Sequence, residues 1–200
     1  MANAGGTRGR DEVSVGLWSA ADERANAFEL ATIPAGKVLA VAVSPDGAVM
    51  AALSIAGAVS IWHITYGDAR PFGDPLDNPG VVRSAALSLD GATLATGGLA
   101  ALVRLWDLSD PAAPSQLGDP ISDRSDDVLA VTFSADGTRL ATSGRNDGVR
   151  LWDVADPTAI ERLRDPLDYT DVVLAIAVSP DGTMIATGGE DTIVRLWAVG

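Results

Sequence analysis

Short apolar runs and polar turns alternate along this chain in a fixed order, and the order repeats. In one period Val128–Ser134 is apolar at its centre on both faces, the pattern of a strand buried between two layers. Ala135-Asp136-Gly137 follows as a hairpin turn, with glycine able to take the positive φ such turns require. Thr138–Gly144 is a second strand of small residues, Asn146-Asp147-Gly148 a second turn, and Val149–Val154 an alternating third strand. A Pro-containing loop then leads to a polar outer strand over 161–167, where proline is tolerable at a sheet edge. These four strands are termed a, b, c and d.

The same order recurs throughout. Strand a recurs as Val38–Ser44, Arg83–Ser88 and Val173–Ser179, and strand c as Val59–Ile64, Leu102–Leu108 and Ile193–Val199. The a–b turns carry Asp46, Asp90, Asp136 and Asp181, each followed by glycine. Trp18, Trp62, Trp106, Trp152 and Trp197 close successive c strands at intervals of 44 to 46 residues. A four-stranded antiparallel unit cannot bury both faces alone, so units of this period must stack side by side. Counting from a first strand c at 13–18 and strand d at 27–33, the pattern predicts seventeen strands.

With Gly73-Asp74-Pro75-Leu76 and Gly118-Asp119-Pro120-Ile121 in the outer strands, the Pro-Asp-Gly, Leu-Ala-Thr-Gly-Gly and Val-Arg-Leu-Trp-Asp sequences resemble bacterial WD-repeat β-propellers. The resemblance covers residues 12–200. It implies an all-β fold of about four antiparallel four-stranded blades. The division expected is a disordered lead over 1–11, a half blade at 12–35, blades at 36–78, 79–123 and 124–168, and a partial blade at 169–200. The family's Gly-His pair before strand a is missing, and Trp-Asp survives only at Trp106-Asp107 and Trp152-Asp153. The Asp of the b–c turn is present as Asp191 but replaced by Ala56 and Ala100, so the polar network bracing such blades is expected to be incomplete. A ring of seven blades needs roughly 300 residues. An incomplete ring or open arc is therefore expected, with Val13–Trp18 and Ile193–Trp197 competing for the place beside strand d at 27–33. Its open blade edges invite self-association.

Composition narrows the function. The formal net charge is −13 with pI near 4.2, which disfavours nucleic acid and anionic membranes as partners. Apolar residues reach 47% while aromatics are 5%, so the core is built from Ala, Val, Leu and Ile. There is no cysteine, which excludes thiolate chemistry and fits a reducing cytoplasm. No apolar run reaches the ~18 residues that span a bilayer, and the N-terminus does not read as a secretory signal.

His63 is the only histidine and has no second imidazole or thiolate with which to hold a metal. No Gly-x-Ser-x-Gly turn, calcium-loop ligand series or phosphate loop occurs. No catalytic residue, metal or cofactor is expected. Arg104, Arg150 and Arg195 each stand two residues before a tryptophan, a spacing that reads as a repeated blade contact with a ring or carboxylate rather than as an anion site.

These features point to a non-catalytic protein–protein interaction scaffold or sensory platform, which the resemblance places within a larger bacterial signalling protein. By the same resemblance, d–a segments and b–c turns gather on one partner-binding rim. Variable residues there are Asn78, Arg83, Arg124, Asp126, Asp127, Tyr169 and Asp171 on the d–a side and Ile55, Leu99, Arg145 and Glu190 on the b–c side. Tyr and Arg are effective interface anchors. The alternative is a small-ligand or enzymatic propeller using a central channel, which the apolar starts of strand a disfavour.

Overall fold

A computed structural model describes residues 2–6, 13–17, 28–33, 38–65, 68–99, 101–110, 112–122, 127–145, 148–163, 167 and 171–199. Among them are eighteen strands in five antiparallel sheets. The first sheet holds β1 (Ala2–Gly6), β2 (Val13–Leu17) and β3 (Phe28–Ile33). The second runs β4 (Val38–Val43), β5 (Val49–Ser54), β6 (Val59–Thr65) and β7 (Asp68–Pro71). The third runs β8 (Val82–Leu87), β9 (Thr93–Gly98), β10 (Leu102–Asp107) and β11 (Ser115–Ser122). The fourth holds β12 (Val128–Phe133), β13 (Arg139–Gly144), β14 (Val149–Asp153) and the short β15 (Glu161–Arg162). The last holds β16 (Val173–Val178), β17 (Met184–Gly189) and β18 (Val194–Ala198).

The sheets stack as blades through a repeated division of labour. On strand c, Val103 and Leu105 of β10 face forward and pack against Val128, Val131 and Leu140 of the next blade. Trp106 faces back, packing with Ala51, Leu53 and Ile61 of the blade before. The same alternation carries Val149 and Leu151 onto Val173 and Ile185. Strand a of each blade lies against strand a of the next, β4 on β8, β8 on β12 and β12 on β16. Gly97 allows this approach, since a Cβ there would lie 2.5 Å from Val128 Cγ1.

The arrangement is open. Strand β3 pairs with β2, so the expected competition resolves in favour of the first strand c, and among the described residues β18 pairs with β17 alone. Two expectations are corrected. Ala2–Gly6 lies in the expected disordered lead yet forms β1, antiparallel to β2 and packed against β4. The outer strand of the first full blade is 68–71 rather than 73–76. The Gly-Asp-Pro-Leu segment is a bulge and re-entry. In β11 the register breaks opposite Arg104, Gly118 takes φ +61, and Ile121 rejoins Val103. Proline there has no N–H to waste, and a bulge accommodates it. In the neighbouring blades Leu76 N–H donates to Val59 O (2.8 Å) and Leu167 N–H to Val149 O (2.9 Å).

Candidate interaction rim

Each blade presents two rims, and the residues at each end are fixed by different devices. The a–b turns are locked by one clamp built four times. Ser44, Ser88, Ser134 and Ser179 donate through Oγ to Asp46, Asp90, Asp136 and Asp181 at 2.5–2.6 Å. Each carboxylate also accepts the backbone N–H two residues on, at 2.9–3.1 Å. Each serine oxygen takes the first N–H of strand b, as Val49 N does at 2.9 Å. The serine hydroxyl first, then the backbone N–H, holds all four carboxyls below their ordinary value. Side chain and backbone are therefore committed to each other at this rim.

The opposite rim brings d–a segments against b–c turns. Leu99 N–H donates to Val81 O (3.0 Å), and Glu190 N–H to Val172 O (3.1 Å). Arg145 Nε meets Asp127 Oδ2 at 3.3 Å, joining the b–c turn of the blade to its own incoming d–a segment. Gly57 lies close to Gly80, where a Cβ would come within 2.5 Å of the Gly80 carbonyl oxygen. Ala101 and Thr192 hold left-handed backbone at φ 54 and φ 65 where other b–c turns use glycine. For β-branched Thr192 that conformation is strained.

Of the rim residues expected from sequence, Leu99, Arg145 and Glu190 are exposed in b–c turns, and Asp171 is half-buried with Oδ1 accepting Val172 N–H (2.8 Å). Arg83 is exposed but sits on β8 rather than in a loop. Arg124, Asp126 and Tyr169, and with them Trp18, lie outside the described residues.

Trp62, Trp106, Trp152 and Trp197 occupy matching places on β6, β10, β14 and β18, opposite Met50, Leu94, Leu140 and Ile185. Three of their indoles donate to a strand-b threonine: Trp106 to Thr96 (3.0 Å), Trp152 to Thr142 (3.1 Å) and Trp197 to Thr187 (2.9 Å). Thr96 then donates to Asn78 Oδ1 (3.1 Å), so a d–a residue expected from sequence as a variable rim position instead braces the third sheet. Ala52 stands at the threonine place of the second sheet, and Trp62 Nε1 is buried without a partner.

The arginines before each tryptophan also diverge. Arg195 pairs with Asp191 of its own b–c turn. The sequence before Arg104 has alanine where Asp191 stands before Arg195, and Arg104 is 9% exposed. With Asn78, Pro79 and Leu99 it lines a cavity of about 10 Å³, room for one water-sized group.

Larger concavities open on the a–b side. One of about 370 Å³ is lined by Pro45, Leu89, Phe133, Ala135 and Pro180 at the ends of four a strands. Another of about 440 Å³ lies between Asp90 and Asp136, both already clamped by serine. His63 is exposed near the end of β6, opposite Arg70, and no group of three metal-binding side chains occurs among the described residues.

The model of the family described as WD domain, G-beta repeat matches residues 76–107, 119–153 and 164–198, just over half of the chain. The chain belongs to the WD40 repeat family. The matches starting at 76 and 119 begin beyond β7 and within β11 and run through a, b and c of the next sheet, so the sequence repeat straddles the structural blade. No curated protein matches the chain. WD40 domains generally serve as protein-interaction scaffolds rather than catalysts, and the chain is assigned no enzymatic activity on that membership. No helix among the described residues is long and apolar enough to cross a membrane.

Proposed function

We propose that this WD40 array is a partner-binding platform within a larger bacterial signalling protein, acting in the cytoplasm, and that the partner docks on the d–a/b–c rim. The observation that carries the reading is the contrast between the two rims. At the a–b turns the same Ser–Asp clamp recurs four times, so the residues there are spent on holding the turn. At the other rim the residues differ from blade to blade, with Ile55, Leu99, Arg145 and Glu190 exposed at equivalent turns. A fixed backbone under changing side chains is what a protein interface needs. The bacterial setting rests on the Gly-Asp-Pro-Leu outer strands and the cytoplasmic one on the absence of cysteine. The partner is a protein, since a chain of net charge −13 repels nucleic acid and anionic lipid.

The 370 Å³ concavity at the ends of the a strands favours a second reading, capture of a small apolar group at the a–b side. One comparison separates the two. Partners are captured on the wild-type chain and on Glu190→Lys, Leu99→Glu and Asp136→Lys variants. Rim docking requires loss with the first two and retention with the third. Loss confined to Asp136→Lys moves the interface to the a–b side, and equal loss from all three rejects a one-face model.

A further inference from the structure

Three repeats place an arginine two residues before the tryptophan, and one of the three stands without a partner among the described residues. Arg195 pairs with Asp191, four residues earlier, and Arg150 is engaged as well. Arg104 is 9% exposed, yet no described residue gives it a hydrogen bond or an ion pair. Alanine occupies position 100 of the sequence, where the last repeat has Asp191. In the second repeat both groups are missing together, with Ala56 and Ser60 at these places. The third repeat has the cation and no side-chain acceptor to match it. A guanidinium stays charged, and burying it without a counter-charge is costly.

The cavity beside Arg104 offers donors. Arginine has N–H groups and no acceptor. Asn78 Oδ1 is taken by the Thr96 hydroxyl (3.1 Å), so the remaining end of its amide can only donate. Thr96 Oγ1 in turn accepts the Trp106 indole N–H (3.0 Å). We propose that this cavity receives one carboxylate of a protein partner, an Asp or Glu side chain standing in for the absent aspartate. The inference rests on docking at the d–a/b–c rim and names the chemistry recognised there. Size and charge select the group. The cavity of about 10 Å³ has room for one oxygen-sized group, and Arg104 is the only charged residue lining it. That suits a singly charged, planar carboxylate, which guanidinium grips through two N–H bonds, better than a phosphoryl group, which calls for several cations. Pro79 and Leu99, both exposed, wall the entrance and keep water from the pair once a partner is seated. With a net charge of −13 the chain repels a partner that is acidic overall, so the carboxylate belongs to a neutral or basic one.

The test is a titration of the full, nitrogen-15-labelled chain followed through the Arg104 Nε–Hε signal, which Arg104→Met identifies by removing it. The probes are short peptides with blocked ends, alike except for a central Glu, Gln or phosphoserine. The Glu peptide should shift the signal saturably and the Gln peptide should not. Ala100→Asp supplies the carboxylate from within and should weaken the Glu peptide about tenfold or more. Arg104→Met keeps the apolar stem and loses no pair in the free chain, so it should melt no lower than the wild type. No shift with Glu, equal shifts with Glu and Gln, or a response unchanged by Ala100→Asp overturns the proposal. Tighter binding of the phosphoserine peptide overturns it in favour of a phosphoryl group. Arg104→Met melting below the wild type overturns it too, because the arginine is then held inside the free chain. The rim itself is judged separately by Glu190→Lys and captured partners. Loss of the peptide response with that effect intact overturns the carboxylate site and leaves rim docking standing, and the converse result overturns rim docking alone.

Discussion

At Trp62 a buried indole N–H has nothing to accept it, because alanine stands where three other blades place threonine. A buried donor left unpaired costs about 1–3 kcal/mol, whereas making the bond gains about 1 kcal/mol. Thr142→Ala should therefore lose roughly 1–3 kcal/mol by urea denaturation. Ala52→Thr should gain about 1 kcal/mol if Val38 and Val41 give way to the added atoms. A Thr142→Ala chain as stable as wild type would show that the Trp–Thr bond is incidental. The Ser–Asp clamps set a second residue-scale behaviour. Folded Asp46, Asp90, Asp136 and Asp181 titrate below the ordinary 3.8, so the unfolded chain binds protons more readily than the folded one. Their contribution is complete above about pH 4 and drains away as pH falls through the lowered folded values. Unfolding followed by tryptophan fluorescence should show stability flat near neutrality and falling below about pH 4. Asp136→Asn should make that fall shallower.

Strand order, a–b turns and the regular tryptophans were legible because each depends on residues adjacent in sequence. Glycine at matching places in strand b shows what was not. Gly97 and Gly188 read alike in the chain, yet only Gly97 lies under a following blade. Gly97→Ala should cost about 1–3 kcal/mol through overpacking against Val128. Gly188→Ala should be neutral or stabilise by about 0.5–1 kcal/mol, as alanine does in a strand. Equal effects on the melting temperature would mean that the last blade is covered in the single chain. Strand β1 escaped the sequence reading because Ala2–Gly6 has neither alternation nor β-branched residues. The outer strand of the second sheet was displaced because its Gly-Asp-Pro-Leu reads as strand although proline and a left-handed glycine make it a bulge. At the rim, the sorting of turns into two ends followed from repeat order. The Arg145–Asp127 pair and the Asn78 brace, each reaching 18 residues along the chain, did not.

Across the whole molecule, the five sheets form a row in which each touches its neighbours in sequence. A closed ring would give every blade two neighbours and a seam to break before any could leave. Here β1–β3 and β16–β18 each have one neighbouring sheet, while β8–β11 and β12–β15 have two. Such a row behaves as a one-dimensional chain of coupled units, and its ends cost least to open. Amide hydrogen exchange should release β16–β18 before β8–β15. Uniform exchange across all five sheets would contradict the row. Heating should then peel the array from its ends inward, passing through shortened forms with intact middles. Different probes would report different midpoints, and no single melting temperature would belong to the molecule.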